Sequence, residues 1–226
     1  EEIIELAKSR KPKKVAVVAA HDLEVLIAID KANQLGMVEA ILIGNYQKIV
    51  EICKESNICS EKYEIIDIED SNKASKIAVE LVLDGSANLL MKGLVDTSTL
   101  LKAVLDKEIG LMGEGLLSSV AIAQIPEYER LILLTDPAIN VYPNLHVKKQ
   151  IIENSLQVAK TLYIKEPKVA IICASEKVNL KMPDTVVAKE LEDMNKRGEI
   201  IDCIVGGPLT LDVAISEKAA RTKSVK

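Results

Sequence analysis

The strongest constraint on this chain is a rhythm. Short, uninterrupted apolar runs alternate with longer stretches whose apolar residues recur three and four positions apart. "KKVAVVAA" (13–20) is the first such run. It leads into 23–35, where Val25, Leu26, Ile29, Ala32 and Leu35 share one helical face before Gly36 stops the pattern. "VEAILIG" (38–44) then precedes a helical 45–55, "YEIIDI" (63–68) a helix over 72–85, and "ANLLMKG" (87–93) a helix over 98–107. A strand with one wet face alternates apolar and polar residues, and these runs do not. Continuous apolar strands separated by helices indicate a parallel sheet covered on both faces, so the chain reads as an α/β protein.

Beyond the Gly-rich "GLMGEG" (110–115) the rhythm changes. "SSVAIAQI" (118–125) and "RLILLTD" (130–136) are separated only by "PEYE", too short for a helical crossover, so they are expected to be antiparallel neighbours or a bent pair. A long helix is expected over 144–164, a strand at "KVAIICAS" (168–175), a helix over 184–197 closed by Gly198, and a strand at "IIDCIVGG" (200–207) before a last helical stretch. The glycine-rich segment divides the chain into a first lobe, 1–113, and a second, 114–226. The polar, basic ending "ISEKAARTKSVK" reads as an interrupted strand–helix unit, so further sequence past Lys226 is expected.

Composition narrows the function classes. A net charge of −5 offers no basic surplus for nucleic-acid phosphates. Phe and Trp are absent, so the core is aliphatic and base-stacking platforms are missing. No apolar run approaches the ~20 residues that span a bilayer, and the acidic start "EEIIELAKSR" lacks a signal-peptide core. Cys53, Cys59, Cys173 and Cys203 form no C-x-x-C pair and read as free thiols of a reducing compartment. A cytoplasmic protein with no nucleic-acid or membrane partner is expected.

In a parallel α/β sheet, ligands gather at the carboxyl ends of strands. Three strand exits carry unusual residues. At 92–99, Lys92 and Gly93 are followed by Asp96, Thr97, Ser98 and Thr99. Glycine permits a close backbone approach, and helix-start amides with hydroxyls and a lysine make an anion site; ordinary N-capping beside a solvated lysine explains the same residues equally well. At 133–144, Asp136 and Asn140 lie in a loop stiffened by Pro137 and Pro143, where a turn-forming Asp-Pro is the commoner explanation. At 203–216, Gly206, Gly207 and Pro208 fall between a strand and a helix whose first turn holds Thr210 and Asp212. The glycines would admit a bulky ligand, while Asp212 also suits the helix dipole. His21, in a turn, reads as polar surface; His146 has no partner nearby in sequence; Cys203 reads as a small residue of an apolar strand. No nucleophile elbow, Walker loop, zinc motif or dinucleotide fingerprint is present, so covalent nucleophilic catalysis and metal chemistry have no sequence support.

With these exits in view, the chain resembles the phosphate acetyl/butyryltransferase family, most closely its phosphate butyryltransferase branch. The likeness rests on "MKGLVDTSTLLKAVLDKEIGL" (91–111), "RLILLTDPAINVYP" (130–143), "PKVAIICASEKVNLKMP" (167–183) and "VGGPLTLDVAISEKAA" (205–220). The resemblance implies a two-lobed α/β/α architecture like that of isocitrate and isopropylmalate dehydrogenases, and a homodimer or larger homo-oligomer. It implies acyl transfer between coenzyme A, a substrate rather than a cofactor, and inorganic phosphate. Phosphate then attacks the thioester directly, so the protein must fix the anion, steady a tetrahedral oxyanion and manage the thiol proton. On that reading Lys92 and Asp212 are catalytic. Gly93, Thr97, Ser98, Thr99, Asp136, Asn140, Gly206, Gly207 and Pro208 bind substrate. The family's Ser-Arg pair and downstream Asp lie in a C-terminal segment that returns to the first lobe, and no residue of these 226 matches them. A non-catalytic sensor of coenzyme A or acyl phosphate is the alternative of a different class. A dehydrogenase on the same fold, which needs nicotinamide and metal-binding carboxylates, ranks below it.

Overall fold

The computed structural model describes residues 2–113, 115–126 and 128–224. The chain divides into two compact units, Glu1–Gly113 and Glu114–Lys226.

The first unit starts with α1 (Glu2–Lys8) and continues through β1 (Lys13–Val18), α2 (Leu23–Gln34), β2 (Val38–Gly44), α3 (Tyr46–Glu55), β3 (Glu64–Asp67), α4 (Ser71–Leu83), β4 (Leu89–Lys92) and α5 (Thr97–Val104). The four strands form one parallel sheet in the order β3-β2-β1-β4. Successive side chains of a strand point to opposite faces. Thus Val15, Val17 and Leu42 pack with Leu26, Ile29 and Ile49 on one side. Ala16, Val18, Ile41 and Ile43 pack with Ala74, Ala78 and Leu100 on the other. Both layers are aliphatic, which is why β1 and β2 read as unbroken apolar runs. Burying one such Ile or Leu contributes about 1.5–3 kcal/mol.

Side chains mark the helix starts. Asp22, Asn45 and Asp70 each accept from the amide three residues on, at 3.0, 2.9 and 2.8 Å. The α5 helix ends at Val104 instead of continuing to 107, because the Asp106 carboxylate turns back onto the amides of Glu108 and Ile109. The outer side of β4 is a sheet edge. There Leu89 is exposed and an open apolar trough of about 370 Å³ runs between β4 and α2, lined by Val15, Ile29, Ala32, Leu89 and Met91.

In the second unit, β5 (Val120–Ile125) and β6 (Tyr128–Thr135) form an antiparallel pair. After them come α6 (Leu145–Thr161), β7 (Lys168–Ile172), α7 (Pro183–Lys196), β8 (Ile204–Leu209), α8 (Leu211–Ile215) and α9 (Glu217–Thr222). β7 and β8 pair in parallel, and Ile152, Leu191, Ile200 and Val205 form the core beneath them.

Two sequence expectations shift here. Strand β8 begins at Ile204, not 200, because Asn195 fastens the preceding segment: its amide donates to the carbonyls of Ile200 and Cys203 and its carbonyl accepts from Val205. Asp202 also adopts a left-handed φ of 63°. Cys203 therefore precedes the strand. The last helical stretch is two short helices, divided where Ser216 adopts an extended backbone and caps α9. Among the described residues, no helix is long and apolar enough to cross a membrane.

Candidate functional site

The order β3-β2-β1-β4 reverses direction between β1 and β4. A crevice opens at such a reversal outside the carboxyl ends of the strands, and ligands of open α/β sheets bind there. The two loops that flank it are 19–22 and 93–96. The amide of Gly93 donates to Val18 O at 2.8 Å and that of Leu94 to Ala19 O at 2.9 Å. Only glycine fits this apposition, since a Cβ at position 93 would lie 2.5 Å from both carbonyl oxygens. Ala19 adopts a left-handed φ of 52°, a conformation costing a non-glycine residue ~1–2 kcal/mol.

Asp96 occupies the N-cap position of α5 with an extended backbone, but its side chain makes no capping bond. Its carbonyl accepts from Thr99 at 3.0 Å and Leu100 at 3.2 Å. Among the described residues, the amides of Thr97 and Ser98 have no acceptor, and the hydroxyls of Thr97, Ser98 and Thr99 have no partner. Thr97 and Ser98 are exposed and Thr99 is half-buried. Lys92 leaves the strand end at the same place, its Nζ donating to Gly93 O at 3.2 Å. The ordinary capping explanation is thus weakened. What stands at this turn is a set of open donors and one ammonium, which suits an anion.

His21 is more than the surface histidine its turn suggested. It is half-buried at the exit of β1, and its Nδ1 is buried without a partner among the described residues. The ring lies where a side chain on Gly44 would have to go, since a Cβ there would be 2.8 Å from Nδ1. Burial first, and then the positive charge of Lys48, lower its pKa, so the imidazole stays neutral near pH 7. Nothing in the spacing of "AAHDLE" signals this, because the space is made by a glycine on another strand.

In the second unit, Asp136 and Asn140 come together. The Asp136 carboxylate accepts from the Ser119 hydroxyl, from the amides of Ala138, Ile139 and Asn140, and from the Asn140 side chain at 2.5 Å. Asn140 also donates to Leu117 O at 3.0 Å. These bonds tie the exit of β6 to the segment entering β5, as a turn-forming aspartate would. Burial raises the Asp136 pKa, but the bonds from Ser119, Ile139, Asn140 and Ala138 outweigh it and hold the carboxyl well below the usual range. A group whose folded pKa is depressed stabilises above its unfolded value, ~3.9, and that contribution fades as pH falls through the folded pKa. Asp136→Asn is therefore expected to destabilise at pH 7 and to cost progressively less below pH ~4, as measured by urea unfolding of both proteins.

Gly206, Gly207 and Pro208 do not form a turn. They lie within β8, with Pro208 buried. Gly207 is required by packing, since a Cβ there would sit 2.8 Å from Ile171 Cβ on β7. Gly206 meets nothing closer than 3.7 Å. Gly207→Ala is expected to cost about 1–3 kcal/mol by overpacking, against much less for Gly206→Ala, in denaturant titrations.

Asp212 lies in the first turn of α8. Hydrogen bonds from Thr210 (2.6 Å) and Lys223 (3.1 Å) lower its pKa. It is a fixed anion, poorly suited to carry a proton near neutral pH. Within unit 1 the structure gathers Lys92, Gly93, Thr97, Ser98 and Thr99. Within unit 2 it gathers Asp136 with Asn140, and places Asp212 just past the end of β8.

Sequence comparison gives the family of the chain. A family profile described as "Phosphate acetyl/butaryl transferase" matches residues 1–82 and 69–226. Phosphate butyryltransferase of Clostridium acetobutylicum is 46% identical over 224 residues, covering 99% of this chain and 74% of that protein. The chain belongs to the phosphate acetyl/butyryltransferase family. Phosphate acetyltransferase of Thermotoga maritima is 37% identical over 226 residues, 100% of this chain and 76% of the relative. Among solved structures, a branched-chain phosphotransacylase from Enterococcus faecalis superposes with a TM-score of 0.81 at 31% identity, over 95% of this chain and 74% of that one.

Proposed function

We infer that this protein transfers a short-chain acyl group, butyryl or similar, between coenzyme A and inorganic phosphate. One observation carries the reading: a chain of this family presents, at its sheet reversal, a strand-end lysine followed by a helix start whose first amides and hydroxyls lack partners among the described residues.

In the forward direction a phosphate oxygen attacks the thioester carbonyl carbon, forming the C–O bond. The tetrahedral oxyanion collapses with loss of the C–S bond, and the thiolate takes up the proton that the hydrogen phosphate gives up. No enzyme nucleophile is required. We assign Lys92, the turn at Gly93 and the 97–99 hydroxyls to holding phosphate and the oxyanion. Holding two reactants in register supplies on the order of 7–11 kcal/mol in favourable systems. Asp212 is assigned to accepting a hydrogen bond from the coenzyme, not to moving the thiol proton. Asp136 and Asn140 shape their loop, and 206–208 carry Thr210 and Asp212 to the strand end.

Several finer features belong to the same reading. The architecture is of the isocitrate dehydrogenase kind, with 1–113 and 114–226 as its lobes. The protein works in the cytoplasm as a homo-oligomer, for which the exposed Ile122 and Leu134 of the β5–β6 pair offer apolar surface. The absence of aromatic side chains other than tyrosine favours aliphatic acyl groups.

The experiment is direct. Natural full-length protein mixed with butyryl-CoA and phosphate is expected to release free thiol and form an equal amount of butyryl phosphate. Thiol release independent of phosphate, or none, rejects the reading.

A further inference from the structure

Four side chains from three separate stretches of the second unit converge at the carboxyl ends of β7 and β8. Glu176 comes from the loop after β7, Thr210 from the end of β8, Asp212 from α8, and Lys223 from the residue that closes α9. Lys223 Nζ lies 2.8 Å from Glu176 Oε1, 3.1 Å from Thr210 Oγ1 and 3.1 Å from Asp212 Oδ1. An ammonium has three protons, and here each has an acceptor. Lys223 is therefore committed to the protein and is not a free cation awaiting an anion. The Thr210 hydroxyl also lies 2.5 Å from Glu176 and 2.6 Å from Asp212. One hydroxyl proton serves only one carboxylate, so without the ammonium the two anions repel across Thr210.

Exposure separates the members. The Glu176 side chain is 22% exposed and Asp212 54%. Glu176 is the inner anchor, Lys223 the bridge, and Asp212 the open end. A lone exposed ion pair contributes little. A bridge closing three backbone segments on one carboxylate instead fixes where that carboxylate stands, at the strand ends where α/β sheets bind ligands.

We propose that Glu176 and Lys223 are positioning residues that hold the Asp212 carboxylate in place to receive coenzyme A. This rests on the acyl-transfer reading and names a set of supporting side chains for it. The test compares Lys223→Met, Lys223→Arg and Glu176→Gln with wild type in the natural full-length protein. It measures thermal midpoints, the KM for acyl-CoA and for phosphate, kcat, and coenzyme A binding by equilibrium dialysis. Lys223→Met is expected to raise the KM for acyl-CoA and the Kd for coenzyme A tenfold or more, while the KM for phosphate moves less than twofold. Glu176→Gln follows in the same direction, and Lys223→Arg recovers to within about threefold of wild type. Unchanged coenzyme A affinity in Lys223→Met overturns the proposal. So does a loss that follows only the folded fraction, or one shared equally by phosphate. A wild type without phosphate-dependent transfer rejects the reaction instead, and the positioning role is then decided by coenzyme A binding alone.

Discussion

Lys92→Ala is expected to lower phosphate-dependent acyl transfer by about 10²–10³, the usual cost of removing one donor aimed at developing negative charge. Lys92 closes β4 and its ammonium bonds to Gly93 O, five residues before α5 starts with the amides of Thr97 and Ser98 open among the described residues. Among the described residues it bonds only to the carbonyl next in the chain, so little of the fold rests on it. Steady-state kinetics at varied phosphate, together with a thermal melt, check this. The melt should stay within a few degrees of wild type while kcat/KM for phosphate collapses. Lys92→Arg, which keeps the charge but spreads it over a planar fork, is expected to retain part of the activity. Equal activity in the alanine variant removes Lys92 from the site.

Gly93→Ala is expected to act on the fold. A methyl group at this position would meet two backbone carbonyl oxygens at 2.5 Å, and neither can move without parting β1 from the loop after β4. Both bonds across the reversal, Gly93 to Val18 and Leu94 to Ala19, lie in the path of that displacement. Overpacking against backbone, with loss of buried hydrogen bonds, is expected to cost about 3 kcal/mol or more. Urea titration gives the value. A domain of ordinary stability, 5–15 kcal/mol, would retain a much reduced folded population. An alanine variant as stable as wild type would mean that the two loops are not apposed in this way.

The inner strands β1 and β2 were legible in sequence because each is covered on both faces, and that coverage leaves an unbroken apolar run; the edge strands β3 and β4 keep only a short apolar stretch, legible from its place between helices. The antiparallel pair was legible from a gap too short for a crossover. Misreadings arose where a side chain, not a propensity, sets the boundary. Asn195 holds 200–203 out of the strand, and Asp106 ends α5 early. "GGP" looked like a turn because glycine and proline usually mark one. In β8 the second glycine is dictated by Ile171 on the neighbouring strand, a contact that no local pattern records.

The candidate site was legible in the same uneven way. Lys92 through Thr99 are consecutive, so their grouping followed from the sequence once the strand and helix were placed. The open state of the first-turn amides did not, since it depends on Asp96 failing to cap. Asp136 carried an ambiguity that resolves toward the turn, through five donors drawn from both sides of a hairpin. Glu176 and Lys223 are 47 residues apart, and neither is legible locally, because a lone Glu or Lys in a polar stretch is usually solvated. His21 reads as polar surface in the sequence because nothing local shows that Gly44 vacates the space beside it.

The central claim is that inorganic phosphate is held by the backbone and hydroxyls at the start of α5. Titrating phosphate into ¹⁵N-labelled natural full-length protein tests it most directly. The amides of Thr97 and Ser98 are expected to shift together along one saturating curve, and Lys92→Ala should weaken that curve. Phosphate shifts confined to the second unit, or none at concentrations that support turnover, would contradict the claim.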